Sequence, residues 1–150
     1  MIEILRTDSS NIEFLNLVKF LDVDLAVRDG DEHSFYAQFN KVDAIKYVVL
    51  AVENGRAVGC GAIKEYDLDT MEVKRMYTSP QSRGKKIASR VLAELENWAK
   101  ELSYKRCILE TGNKQLEAIA LYNRNVYHRI TNYGQYAGIN NSLCFEKLIR

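Results

Sequence analysis

The spacing of hydrophobic and polar positions changes several times along the 150-residue chain, and each change predicts an element. Alternation over residues 2–6 predicts a short strand. From Ile12 to Val27 apolar residues recur at helical spacing, with Asn11 or Ser10 as the N-cap. The polar residues 28–32 break this pattern and are predicted to form a loop.

Three strands joined by hairpins are predicted next. Residues 45–52 are β-branched and aromatic, and Asn54-Gly55 then favours a tight hairpin, because both residues accept a positive φ. Residues 57–64 form the next strand, and a turn at 67–70 leads into a third strand over 71–78.

The second half of the chain alternates helices with strands. Seven apolar residues from Ile87 to Leu102 share one face and predict a long amphipathic helix. A strand over 106–110, a helix from about Lys114 to Asn125 and a final strand over 142–148 follow. The order β-α-β-β-β-α-β-α-β predicts a single α/β domain with a mixed sheet.

The composition is that of a globular protein, with 47% apolar and 27% charged residues, and it excludes disordered and collagen-like chains. No apolar run approaches the ~20 residues that span a bilayer, and no N-terminal targeting signal is recognised. We therefore expect a cytoplasmic protein with no membrane partner. Cys60, Cys107 and Cys144 lie in apolar stretches without metal-ligand spacing, so we expect buried free thiols and no metal site.

The net charge of +1 conceals a very uneven distribution. Residues 73–93 carry six bases and no acid, whereas the rest of the chain carries 15 bases and 20 acids. This basic strip includes Pro80 and Gly84 and lies where a strand passes into a helix, whose N-terminus presents unpaired N–H groups. The pattern favours a bound phosphate, and a solvated basic helix start is the alternative. Nucleic acid is not expected as a partner, because the patch is short and the chain nearly neutral.

The same strip resembles the acetyl-coenzyme A signature of the GNAT acetyltransferase superfamily. In that signature a strand leads through [Q/R]-x-x-G-x-[G/A] into a helix. Gln81 and Gly84 match its first two fixed positions, and Lys86 stands where the family has Gly or Ala.

A second motif follows at the separation the family shows. Residues 115–122 resemble the family helix N-x-x-A-x-x-L-Y, with Gln115 in the asparagine position and Tyr122 matching the tyrosine. The glycine-aromatic pair that follows in the family is Val126-Tyr127 here. The resemblance extends over roughly residues 45–148.

The resemblance implies a mostly antiparallel sheet, splayed between its fourth and fifth strands and flanked by helices, with acetyl-CoA as cosubstrate in the gap. Residues 70–125 are the implied cofactor-binding core, and residues 1–44 the acceptor side of the one domain. The residues that it implies for cofactor binding are Met76, Tyr77, Thr78, Gln81, Ser82, Arg83, Gly84, Lys85, Lys86, Ile87, Ala88 and Gln115.

The implied reaction is direct acetyl transfer to an amine, with Tyr122 near the coenzyme sulfur and a backbone N–H near Met76 or Tyr77 as donor to the carbonyl oxygen. A phenol with a pKa of ~10 is a weaker acid than a thiol at ~8.5. A hydrogen bond from Tyr122 to the thiolate is therefore preferred to full proton transfer. The alternative is a tyrosine that packs on the sheet.

Glu72 is the first candidate for the base, because it lies on the strand that leads into the cofactor loop. A surface glutamate paired with Lys74 or Lys64 is the alternative. His33, in residues 33–40, which could form a helical turn or two, is the second candidate, against an exposed loop histidine. His128 is interpreted as structural.

Residues 1–44 hold nine acids and four bases, and such an acidic approach would attract a cationic amine; a solvated acidic helix end is the alternative. The loop Asn132–Tyr136 could close over the acceptor. We therefore predict an acetyl-CoA-dependent N-acetyltransferase that acts on a small-molecule amine. A protein or peptide amine, or a coenzyme A-binding sensor or assembly module with weak activity, is the alternative, and a homodimer is left open.

Overall fold

The computed structural model describes residues 1–30 and 45–150, which contain seven strands and three α-helices. Two short 3-10 turns accompany them, at Pro80–Ser82 and Gly134–Tyr136. The elements in chain order are β1 (Ile2–Thr7), α1 (Ile12–Asp29), β2 (Tyr47–Glu53), β3 (Arg56–Asp67), β4 (Thr70–Thr78), α2 (Ile87–Glu101), β5 (Arg106–Gly112), α3 (Leu116–Arg124), β6 (His128–Ile130) and β7 (Ser142–Leu148).

All these strands belong to one sheet, in the order β1-β2-β3-β4-β5-β7-β6. Neighbouring strands are antiparallel except β4 and β5, which are parallel. This confirms the mixed, mostly antiparallel α/β sheet that the sequence predicts. The β2–β3 hairpin turns at Asn54 and Gly55, whose φ values of 53° and 79° are both positive, as the Asn-Gly pair predicts.

Helices cover both faces of the sheet. α2 buries Ile87, Val91, Leu92, Leu95 and Ala99 against one face, where the side chains of α3 join the same core. α1 buries Phe14, Leu17 and Val18 against the opposite face of β2 and β3.

Close packing of α2 on β3 depends on Gly61. A Cβ at this position would lie 2.9 Å from side-chain atoms of both Val91 and Leu95, and 2.4 Å from the sulfur of Met76. Real Cβ atoms do not approach neighbours this closely, so any larger residue here would force these side chains to move. The sequence carries no signal of this constraint beyond the glycine itself.

Several elements differ from the sequence prediction in their bounds, and one was not predicted. α1 begins at the Asn11 cap, whose side chain accepts from the Phe14 N–H at 3.0 Å, but continues to Asp29 instead of ending at Val27. α3 is shorter than predicted at both ends. β6 was not predicted, because its three residues show no apolar alternation and become a strand only by pairing with β7.

The three cysteines are free and buried, as expected. Burial raises the pKa of Cys60 and Cys107 to about 12 and that of Cys144 to about 11. Within the described ranges, no helix combines the length and apolarity needed to cross a membrane.

The C-terminus of α3 ends in a Schellman motif. The N–H of Tyr127 donates to the carbonyl of Tyr122 at 3.0 Å, and the N–H of Val126 donates to that of Asn123 at 3.3 Å. The rings of Tyr122 and Tyr127 supply the apolar contact of the motif, with centroids 5.8 Å apart. Val126 therefore takes the left-handed conformation, φ 69°, that this position requires. Val126 replaces the glycine of the family pattern, but it keeps the left-handed backbone conformation that a glycine would adopt there.

We predict that Val126→Gly stabilises the protein by about 1 kcal/mol, because a β-branched residue at positive φ is strained and the exposed Val126 side chain contributes little packing. Val126→Ala, which removes the branch and keeps the Cβ, should stabilise less. Urea unfolding measures both. Val23→Gly, at an exposed position inside α1, is the control and should destabilise by about 0.5 kcal/mol, because glycine is a poorer helix former than valine. A Val126→Gly variant no more stable than Val126→Ala contradicts the prediction.

Candidate active site

A cleft of about 700 Å³ opens where β4 and β5 separate. The two strands pair only at Thr70–Arg106, Met71–Cys107 and Glu72–Ile108. Beyond Glu72, β4 continues beside β3, while β5 stays paired with β7 as far as Gly112. The facing edges of the two strands therefore line the cleft with backbone groups that have no partner strand. This is the splay that the sequence resemblance implies.

β4 is irregular along the edge of this cleft. Ala62 of β3 faces Lys74 and Cys60 faces Tyr77, so β4 carries one residue more than β3 between these pairs. Arg75, inside this bulge, has a φ of 59°. A bulge of this kind leaves an unpaired residue and redirects its neighbours. It lies beside Met76 and Tyr77, where the resemblance implies a backbone N–H that donates to the carbonyl oxygen.

The loop between β4 and α2 forms one end of the cleft. After the 3-10 turn, Gly84 and then Lys86 take left-handed conformations, with φ values of 82° and 62°. Lys86 is the N-cap of α2 and makes no capping hydrogen bond with its side chain. The first-turn N–H groups, from Ile87 to Ser89, have no intrahelical acceptor, so this end presents several donors to an anion.

Carboxylates from distant segments partner three of the six bases of the strip. Arg75 pairs with Asp22 of α1, and Lys85 approaches Glu53 of β2 at 3.2 Å. Arg83 Nη2 is 4.0 Å from a carboxylate oxygen of Asp24. The strip is thus less dependent on an external anion than its charge count suggests. Among the described residues, Lys86 has no carboxylate within 4.0 Å.

The same ion pairs change the interpretation of the acidic segment. Asp22 is paired with Arg75, and Asp24 lies 3.5 Å from Arg28 as well as near Arg83. These two carboxylates are internally compensated and do not form an open acidic surface. Asp31 and Glu32 lie outside the described residues.

Tyr122 lies on α3 and lines the cleft while its ring packs against Phe145, with centroids 6.1 Å apart. The Schellman contact with Tyr127 fixes the ring from the other side. Burial, with a smaller effect of the Glu110 charge, raises the pKa of Tyr122 above its usual value. The hydroxyl therefore stays protonated at neutral pH and can act as a hydrogen-bond donor.

Glu72 is buried beside two polar side chains at the other end of the cleft. Its Oε2 accepts a hydrogen bond from the Tyr133 hydroxyl at 2.7 Å, and its Oε1 lies 3.8 Å from Lys74 Nζ. Desolvation lowers the pKa of Lys74. Burial, followed by the Glu72 charge, raises the pKa of Tyr133. Glu72 thus lies in a poorly hydrated polar cluster, not on the surface.

Most residues that the sequence singles out line this one cleft. They are Glu72, Met76, Tyr77, Thr78, Ser82, Arg83, Gly84, Lys86, Ile87, Ala88, Gln115 and Tyr122. Two of the predicted residues do not line it. Gln81 is exposed in the 3-10 turn, and the side chain of Lys85 lies beside Glu53. His33 lies outside the described residues, and His128 is exposed on β6.

Several further lining residues were not assigned to the site from the sequence, among them Lys74, Arg75, Glu110 and Thr111. Lys74 and Glu110 share the sheet face of Glu72, which an i, i+2 count along each strand could have indicated. The hydroxyl oxygens of Thr78 and Thr111 are buried and have no hydrogen-bond partner among the described residues. Orphaned polar atoms at a cleft edge are the groups that a polar ligand would satisfy.

Known proteins are similar to this chain in sequence and in fold. The model of the acetyltransferase (GNAT) family matches residues 14–126. An IAA acetyltransferase of Azospirillum brasilense is 37% identical over 103 residues, which cover 66% of this chain and 65% of that protein. The chain thus matches slightly less than two thirds of that relative's length.

Solved structures of other proteins have the same fold. A proposed acyl-CoA N-acyltransferase of Klebsiella pneumoniae superposes with a TM-score of 0.84 at 31% identity, covering 100% of this chain and 99% of that one. The PaiA N-acetyltransferase of Thermoplasma acidophilum, solved with coenzyme A, has a TM-score of 0.73 over 99% of both chains, and its 17% identity shows the fold alone.

The sheet opens where its two parallel strands separate, and a loop rich in backbone donors lies at one end of the gap. These features define an α/β fold with a cleft suited to an anion. With the family match over most of its length, the chain belongs to the acetyltransferase (GNAT) family.

We predict that Lys86→Glu lowers the affinity for coenzyme A by about tenfold or more, because it places a negative charge at the donor-lined loop. Lys86→Gly keeps the left-handed backbone and removes only the charge, so its loss should be smaller. Calorimetry measures both. Lys100→Glu, at the opposite end of α2, changes the net charge equally and should leave the affinity unchanged. Equal affinity of Lys86→Glu and the parent would mean that the anion binds elsewhere.

Proposed function

We propose that this protein is an acetyl-CoA-dependent N-acetyltransferase that transfers the acetyl group directly to a primary amine of a small molecule. The observation that carries the proposal is one cleft with two chemically different ends. One end offers backbone donors and Lys86 to an anion. The other holds Glu72, whose carboxylate accepts a hydrogen bond from Tyr133 in a poorly hydrated cluster, and Tyr122 lines the same cleft.

Acetyl-CoA fits this cleft as the cosubstrate, and it would supply the activated acetyl group as a thioester. The N–H groups at the start of α2, with Gly84 and Lys86, would hold its pyrophosphate. The backbone edges of β4 near Met76 and Thr78 would hold its amide-containing arm, and the buried Thr78 hydroxyl is free to join them. Gln115, at the N-cap of α3, lines the same cleft.

Tyr122 would donate a hydrogen bond to the departing sulfur. Its raised pKa makes it an even weaker acid than an ordinary phenol, so complete proton transfer to a thiolate is unfavourable. Donation without transfer still stabilises the negative charge, because hydrogen bonds to charged groups are the strong ones.

Glu72 would accept the proton of the acceptor amine, directly or through water. Its carboxylate is held in place by the Tyr133 hydroxyl and lies on the same face of the sheet as Lys74 and Glu110.

The proposal predicts amine-dependent release of thiol from acetyl-CoA. A panel of primary amines, with amino acids, polyamines, aminoglycosides and lysine peptides as separate groups, should contain at least one that raises thiol release above the rate without amine. Mass spectrometry should find the acetylated amine in stoichiometric amount. Tight coenzyme A binding with no amine-dependent release would favour the binding module, and a response to peptides alone would correct the acceptor class.

Tyr122→Phe should lower kcat by about 10- to 100-fold, the value of a hydrogen bond to a charged group, with little change in coenzyme affinity. Steady-state kinetics and calorimetry separate the two quantities. The matched control is Tyr104→Phe, which removes a hydroxyl bonded to Glu65 and does not line the cleft. Equal kcat for the two variants would remove Tyr122 from the reaction.

A further inference from the structure

The bulge in β4 is built around a residue that fits neither its backbone conformation nor its surroundings. Arg75 has a φ of 59°, a region that favours glycine, and its side chain is only 1% exposed. Left-handed backbone and a buried guanidinium are each costly. Their coincidence at one residue beside the cleft indicates that something outside the strand holds it there.

Asp22 of α1 is that partner. Its carboxylate accepts a charge-assisted hydrogen bond from Arg75 Nη2, across 53 residues of sequence. Asp22 is half exposed, so the pair joins a buried cation on the sheet to a helix on the acceptor side. Arg75 Nε has no hydrogen-bond partner among the described residues, which leaves Asp22 as the carboxylate that compensates this guanidinium.

The conformation of Arg75 sets the direction of the next amide. The Arg75 carbonyl accepts a hydrogen bond from Cys60 Sγ on β3 at 3.4 Å. In a trans peptide the carbonyl and the following N–H point in opposite directions. The N–H of Met76 therefore points away from Cys60, and Met76 lines the cleft.

We propose that the Asp22–Arg75 ion pair is a positioning device that holds the β4 bulge, and with it the Met76 N–H, in the geometry required for acetyl transfer. The inference rests on the proposed function, and it concerns an ion pair whose side chains do not contact the reacting atoms. Asp22 and Arg75 are positioning residues, and they connect the acceptor-side helix to the backbone donor.

Asp22→Asn tests the proposal, because it keeps the side-chain shape and removes the charge that compensates Arg75. We expect kcat to fall by about tenfold or more, as for a displaced backbone donor, while coenzyme A affinity stays within about twofold. Glu13→Gln makes the same chemical change at an exposed position of α1 and should leave kcat unaltered. Unchanged kcat in a well-folded Asp22→Asn variant overturns the proposal.

A second pair of variants separates positioning from direct contact with the acceptor. Arg75→Gly adopts a positive φ without strain and has no charge for Asp22 to compensate. In this background Asp22→Asn should change kcat by less than about twofold, a large departure from additivity. If Asp22 instead touched the acceptor, its loss would cost the same in both backgrounds.

The backbone amide NMR resonances of Met76 and Tyr77 report on the conformation of the bulge and do not require catalytic activity. They therefore test this inference separately from the proposed function. Asp22→Asn should shift both resonances in the parent and neither in the Arg75→Gly background, and Glu13→Gln should shift neither. Shifted resonances without amine acetylation by the parent would overturn the proposed function and retain the positioning contact. Unshifted resonances would overturn the contact.

Discussion

The loss of pairing between β4 and β5 after three residue pairs is the constraint on which the rest of the site depends. Backbone N–H and C=O groups that leave a sheet must find other partners, since unpaired buried ones are costly. Both strands keep their outer neighbours, β3 and β7, so only the inner edges are left open. The cleft is therefore lined by backbone as well as side chains, and a ligand with amides and phosphates suits it for that reason.

The second recurring feature is left-handed backbone at residues other than glycine. Arg75 lies in the bulge, Lys86 caps α2, and Val126 closes α3 behind Tyr122. The last two occupy positions where the family pattern has glycine or another small residue. By residue type, Lys86 and Val126 do not match the family motifs. Both nevertheless have the left-handed backbone conformation that glycine adopts easily. Arg75 and Lys86 line the cleft and Val126 ends the helix that carries Tyr122, whereas the other two such residues, Asn54 and Ser103, lie in turns elsewhere.

Local signals account for what could be predicted from the sequence. The Asn54-Gly55 hairpin, the apolar face of α2 and the Asn11 cap each depend on residues a few positions apart, and the structure has all three. Their bounds shifted by a few residues because helix and strand ends are set by packing as much as by propensity.

Contacts between distant segments could not be obtained in this way. Asp22 and Arg75 are 53 residues apart, and Glu72 and Tyr133 are 61 apart. Counting charges along the chain gave a strongly basic strip and an acidic N-terminal segment, and folding pairs members of the two sets with each other. Counting charges segment by segment therefore overestimates the net charge of both surfaces, because the count does not show which charges form ion pairs in the fold.

The polar cluster at Glu72 has a consequence for the acceptor. Desolvation lowers the pKa of Lys74 in this cluster. An acceptor amine bound beside Glu72, as proposed, would meet the same desolvation, which lowers the pKa of an amine, against the Glu72 charge, which raises it. A neutral amine is the form that attacks a thioester. Under the proposal, desolvation at this end of the cleft would favour the neutral, reactive form of a bound amine, and Glu72 is the proposed acceptor of its proton.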